Sequence, residues 1–136
     1  MAKFGLSQSL RRVEDPRLLK GEGRYTDDLA VAGTATGYLL RSPHAHATIL
    51  SIDTADARAM PGVLAIYTAE DLAADGLGPL PHAGSLKNRD GSRSANAPRF
   101  LLASGKVRHV GDPVAFVVAE SLDAAKDAAE AILVDY

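Results

Sequence analysis

The 136 residues contain no Cys. They therefore cannot form a disulfide framework, a thiolate metal site, an iron–sulfur cluster or a cysteine nucleophile, and redox chemistry, if any, belongs outside this segment. Long apolar runs are also missing. The longest covers residues 114–119, far short of the roughly 20 residues that span a bilayer, and no apolar signal core marks the N-terminus. A cytoplasmic location with no membrane partner is expected. Neither sign of charge dominates: 15 Lys and Arg face 17 Asp and Glu, for a formal net charge of −2. Such a balance gives no basic field to gather nucleic acid. The one basic stretch, Lys87, Arg89, Arg93 and Arg99 followed by Lys106 and Arg108, has Phe100 as its sole aromatic for base stacking, so no nucleic-acid partner is expected.

What is present suits one small core. The apolar share is 46%, but 24 of those residues are Ala, leaving 39 larger apolar side chains. That fills one compact core and not two, so the chain is one domain or one piece of a longer protein. The ends differ in charge. Residues 1–24 carry six basic groups against Glu14, Asp15 and Glu22, whereas residues 113–136 set Lys126 against five acids.

Residues 1–24 show neither strand nor helix periodicity, and Asp15-Pro16 with Gly21 and Gly23 predicts an extended arm. Strands are expected at 36–42, 47–53 (with Leu50 and Ile52 on one face) and 63–67. Thr54 is the expected N-cap of a short helix through Met60, ended by Pro61-Gly62, and Thr68-Ala-Glu-Asp71 has the form of a capping box opening another. Residues 75–99, rich in Gly, Pro and Ser, predict a long loop, mobile at its tip 87–94. Short strands are expected at 100–103 and 106–110, followed by a turn at Gly111-Asp112-Pro113. The apolar run 114–119 predicts a strand buried on both faces. Ser121 should cap a helix from Leu122 to about Ala131, with Leu122, Ala125, Ala129 and Ile132 inward and Lys126 and Glu130 outward. A last strand at 132–136 completes a strand–helix–strand unit fitting a right-handed parallel crossover. The expected class is α+β with a mixed sheet. The end at Tyr136, directly after Leu-Val-Asp with no polar tail, suggests a strand cut at a domain boundary.

Few residues assemble into candidate chemistry. His44 and His46 at i and i+2 point the same way in an extended segment, but a metal site needs further ligands and only His82 and His109 remain as imidazoles. Gly21-Glu-Gly23 lacks the strand before it and the helix after it that a phosphate-cradling loop requires. Asp27-Asp28 reads as a turn rather than an acid–base pair. Ser42, Ser85, Ser92, Ser94 and Ser104 show no nucleophile elbow. No catalytic, cofactor-binding or metal-binding residue is assigned.

Six ordered motifs carry a resemblance. They are Arg12-Val-Glu-Asp-Pro-Arg17 leading to Leu19-Lys-Gly-Glu-Gly-Arg-Tyr-Thr-Asp-Asp28, Arg41-Ser-Pro-His-Ala-His-Ala47, Ser51-Ile-Asp-Thr54, Met60-Pro-Gly-Val63, Lys106-Val-Arg-His-Val-Gly-Asp-Pro-Val-Ala115 and Val134-Asp-Tyr136. Together they closely resemble the N-terminus of the large subunit of molybdenum hydroxylases, the xanthine dehydrogenase, aldehyde oxidase and carbon monoxide dehydrogenase family. The resemblance covers nearly all of residues 10–136, except the 75–99 loop. It implies an α/β-hammerhead domain at 25–136, preceded by the arm at 1–24 and followed in a full-length parent by molybdopterin-binding domains. It implies that the parent is an oxidoreductase hydroxylating an aldehyde or N-heterocycle or oxidising carbon monoxide. Its molybdopterin, in the dinucleotide form, would lie downstream, and its partners would be iron–sulfur and FAD-binding subunits or domains. No cofactor is implied for this segment, since no residue here matches the family's catalytic glutamate or cofactor loops. The segment is then a structural and assembly element, inactive by itself, with the arm laid across a neighbouring domain and the loops at 43–47 and 75–99 contacting partners or bordering the substrate entrance. The alternative is a free-standing interaction or small-ligand-binding module with the same fold.

Overall fold

The computed structural model describes residues 12–29, 31–81, 84, 86–95 and 97–136, in two compact units, Met1–Thr34 and Ala35–Tyr136. In the first, the predicted extended arm contains a short helix, α1 (Asp15–Leu19). Pro16 does not prevent it, because proline in the first turn removes an N–H that has no helical partner anyway. Arg17 pairs with Glu14 beside it. Gly21, at φ +71°, ends the helix, with Gly21 N–H on the Leu18 carbonyl and Glu22 N–H on the Arg17 carbonyl. These two bonds form a Schellman cap. Residues 1–11 of the predicted arm lie outside the described residues.

The second unit runs β1 (Thr36–Arg41), β2 (Ala47–Thr48), β3 (Ser51–Asp53), α2 (Ala55–Arg58), β4 (Val63–Tyr67), α3 (Ala69–Ala74), β5 (Lys106–Val107), β6 (Pro113–Ala119), α4 (Leu122–Ala131) and β7 (Leu133–Asp135). β6 is the middle of a three-stranded sheet, order β1-β6-β4, while β2 pairs with β5 and β3 with β7. The α+β class holds, but all of these pairings are antiparallel rather than mixed. The expected parallel crossover is absent for a simple reason. β1 and β4 already occupy both flanks of β6, so the chain leaving α4 enters a different sheet and pairs antiparallel with β3.

Other boundaries move where a backbone group finds a partner outside the expected ladder. The predicted strand at 47–53 splits, because Ile49 N–H bonds Gly105 and Leu50 N–H bonds Asp135, switching the segment between two sheets. Leu50 is exposed while Ile52 is half-buried, so they do not share a face. The predicted strand at 100–103 makes no ladder, although Leu102 and Ala103 are buried. β5 stops at Val107 because the Asp112 carboxylate takes the Arg108 N–H at 2.9 Å. At α2, Thr54 is the N-cap as expected but without a side-chain bond, the Asp53 carboxylate accepting the Ala55 N–H, and the helix closes at Arg58 rather than Met60. The loop tip is tied, with Lys87 bridged to Arg93 and Asn88 N–H on the Ser92 carbonyl.

One core dominates. Ala125, Ala128 and Ala129 of α4 lie buried with Ala115, Val117 and Ala119 of β6 and Ile66 of β4, their small side chains allowing close approach of helix and sheet. Ser121 caps α4 as expected, its Oγ accepting the Ala124 N–H. The inward stripe differs at one position, since Leu122 is exposed and Ala128 takes its place. The capping box of α3 also forms: the Asp71 carboxylate accepts from both the backbone N–H and the hydroxyl of Thr68, at 2.7 and 2.9 Å.

Candidate functional site

The polar motifs meet at one end of the second unit. Residues 41–47 and 106–113 lie side by side because β2 pairs with β5 and because the ends of β1 and β6 adjoin. Among the described residues Ser42 is the one buried polar residue, 2% exposed. Its N–H bonds the Asp112 carbonyl, its carbonyl accepts the Gly111 N–H, and its Oγ accepts the His44 N–H at 3.0 Å. Arg41 Nη1 donates to the Gly111 carbonyl at 2.9 Å. The Asp112 carboxylate faces His109 Nε2 at 3.7 Å while accepting from Arg108 N–H. The hydrogen bonds of Ser42, Arg41 and Asp112 hold residues 41–44 and 108–112 together. Ser42 in particular is a knot in the backbone and is not presented as a nucleophile.

The remaining candidates are likewise structural. The His44 ring stands edge-on to Tyr136, centroids 4.6 Å apart at 66°, a contact the sequence spacing could not reveal. His44, His46 and His109 are exposed; His82 and Ser85 lie outside the described residues. Among the described residues no group of three or more His, Cys, Asp or Glu is placed to hold a metal ion. Asp28 accepts the Tyr25 N–H at 2.8 Å and so shapes a turn. Gly21 and Gly23 follow α1 rather than open a phosphate loop. Two carboxyls are held below the ordinary range, Asp71 by its bonds from Thr68 and Asp90 by those from Ser92. Both are turn or cap groups, and hydrogen bonds donated to a carboxylate favour its charged form.

What the sequence missed is a surface. Directly opposed residues share a face, so Leu39, Phe116 and Tyr67 form one row across β1, β6 and β4. The face carrying Ala115, Val117 and Ala119 lies under α4, whereas Phe116 and Val118 are only half-buried. The predicted burial of β6 on both faces is thus complete on one side and partial on the other. Below the row, a depression of about 480 Å³ is bordered by Leu72, Leu77 and Leu101, with Asp75 the one charged residue on its lining.

Three comparisons bear on this arrangement. Residues 20–136 match the family profile described as "Aldehyde oxidase and xanthine dehydrogenase, a/b hammerhead domain". The chain is 41% identical over 97% of its length to the carbon monoxide dehydrogenase large chain of Afipia carboxidovorans, and 39% identical over 93% to the nicotine 6-hydroxylase large subunit of Paenarthrobacter nicotinovorans. It spans 15% of the length of each. The crystal structure of quinoline 2-oxidoreductase from Pseudomonas putida 86 superposes with a TM-score of 0.80 at 44% identity, over 94% of this chain and 16% of that one.

Proposed function

The chain belongs to the a/b hammerhead domain family of aldehyde oxidases and xanthine dehydrogenases, and from that premise we propose that it is the structural and assembly domain of an oxidoreductase large subunit, without catalytic residues of its own. The observation that carries this reading is the fate of the two polar motifs. Residues 41–47 and 106–113 tie each other together through Ser42, Arg41, Gly111 and Asp112 and leave no convergent set of acid, base and nucleophile. A second line supports it. The relatives are named for carbon monoxide, nicotine and quinoline, yet match this segment at 39–44% identity. A segment shared so evenly across different substrates is not where a substrate is chosen.

Under this reading the parent is a molybdenum hydroxylase acting on carbon monoxide, an aldehyde or an N-heterocycle in the cytoplasm. Its molybdopterin sits in the domains that follow, and iron–sulfur and flavin subunits pass the electrons. The absence of a cluster of metal-ligating groups among the described residues and of any Cys in the chain supports placing the molybdenum and the iron–sulfur clusters outside this segment. Residues 25–136 form the domain, and residues 1–24 lie against a neighbouring domain of the parent.

The test is the gene. A reading frame continuing past the Tyr136 codon for several hundred residues, whose purified product holds stoichiometric molybdenum, is the expected result. A stop codon there, with a purified product that binds small ligands or partners without molybdenum, would establish a free-standing module instead.

A further inference from the structure

We propose that the half-covered face of the three-stranded sheet is the seat of an apolar element from the large-subunit chain outside these 136 residues. The inference rests on the proposed function in one respect, that such a chain exists. The sheet itself supplies the rest. β6 is apolar at every position from Val114 to Ala119, the pattern of a strand covered on both faces. α4 covers only one. On the other, the row Leu39–Phe116–Tyr67 ends in the depression bordered by Leu72, Leu77 and Leu101. Tyr67, Leu77 and Leu101 are 38%, 53% and 45% exposed.

This is not a scatter of stray apolar residues, because the fold aims them. The Schellman cap after α3, with Gly76 at φ +74° and Leu77 N–H on the Leu72 carbonyl at 2.8 Å, turns the chain so that Leu77 lands beside Leu72. These residues are thereby gathered into one concave, mostly apolar patch.

The occupant follows from chemistry and size. Asp75 is the one charged residue on the lining, so nucleic acid or an acidic peptide would meet only a like charge and a basic peptide a single carboxylate, whereas an apolar side-chain cluster would match the rest of the lining. A second copy of this chain is the weaker choice. The depression is lined by eight residues, against roughly 20–30 a side in a stable interface. An element of the same polypeptide needs no such area, because tethering raises its effective concentration. Relatives have such chain to spare, since this segment is 15–16% of their length.

Hydroxyl-radical footprinting of the wild-type full-length large subunit in its assembled enzyme tests the proposal without any substitution. Oxidation of Tyr67 and Leu77 is compared with that in the urea-unfolded subunit. Protection of at least tenfold at both, unchanged on dilution, is expected. Oxidation within threefold of the unfolded rate overturns the proposal, and so does protection that vanishes when the enzyme is diluted to single large subunits, which would assign the face to a second copy. If the gene encodes no longer subunit, it is the proposed function that fails, and the gene sequence alone reveals it.

Discussion

Phe116 lies across Gly37: a β-carbon at Gly37 would stand 2.6 Å from Phe116 Cζ. The two occupy neighbouring strands of the same sheet, and the missing side chain lets the ring settle on the backbone of β1. Gly37→Ala should therefore push the ring outward. Overpacking costs about 1–3 kcal/mol, offset by about 0.5–1 kcal/mol from removing a glycine from a strand. A net loss of about 1 kcal/mol is expected, read as a lower urea midpoint with unchanged slope.

Ile66 is 1% exposed beneath α4. Ile66→Ala leaves a cavity in the main core and should cost about 2–5 kcal/mol, a large share of the roughly 5–15 kcal/mol that holds a domain together. Leu122→Ala, at a position the sequence pattern placed in the core but which is 46% exposed, should cost less than about 1 kcal/mol. Thermal unfolding of the two variants separates them.

Asp71 closes the cap of α3, and the Thr68 hydrogen bonds hold its carboxyl below 3.8. A depressed folded-state pKa contributes stability that is present above the unfolded value and is lost as pH falls through the folded one. Asp71→Asn should destabilise by under about 1 kcal/mol at neutral pH, since the carboxylate is partly exposed. The gap from wild type should narrow as pH falls below 3.8, measured by denaturant titration across that range.

Much of the fold was legible because local signals agreed with it. Ser121 and the Thr68–Asp71 box cap their helices as their spacing implies, and residues 114–119 form the central strand. Partner choice was not legible. Whether β7 joins β6 or β3, or whether residues 47–53 stay with one neighbour, depends on which edges are free in space, and spacing along the chain does not encode that. The candidate residues show the same division. His44, His46, Asp28 and Ser42 were visible as residue types, but only the structure shows His44 against Tyr136 and Ser42 tied to Asp112. The half-covered face was hidden for a related reason: an apolar strand signals that both sides want burial and is silent on what supplies it.

The central claim is that these residues support a catalyst built elsewhere. Its most direct test is the kcat of the assembled full-length enzyme carrying His44→Ala, His46→Ala and His109→Ala together. These are the exposed imidazoles of the two polar motifs. With molybdenum content and assembly verified, kcat is expected within about threefold of wild type. Because a general acid or base contributes about 10²–10⁴ in rate, a loss of a hundredfold or more in an intact, fully loaded enzyme would contradict the claim.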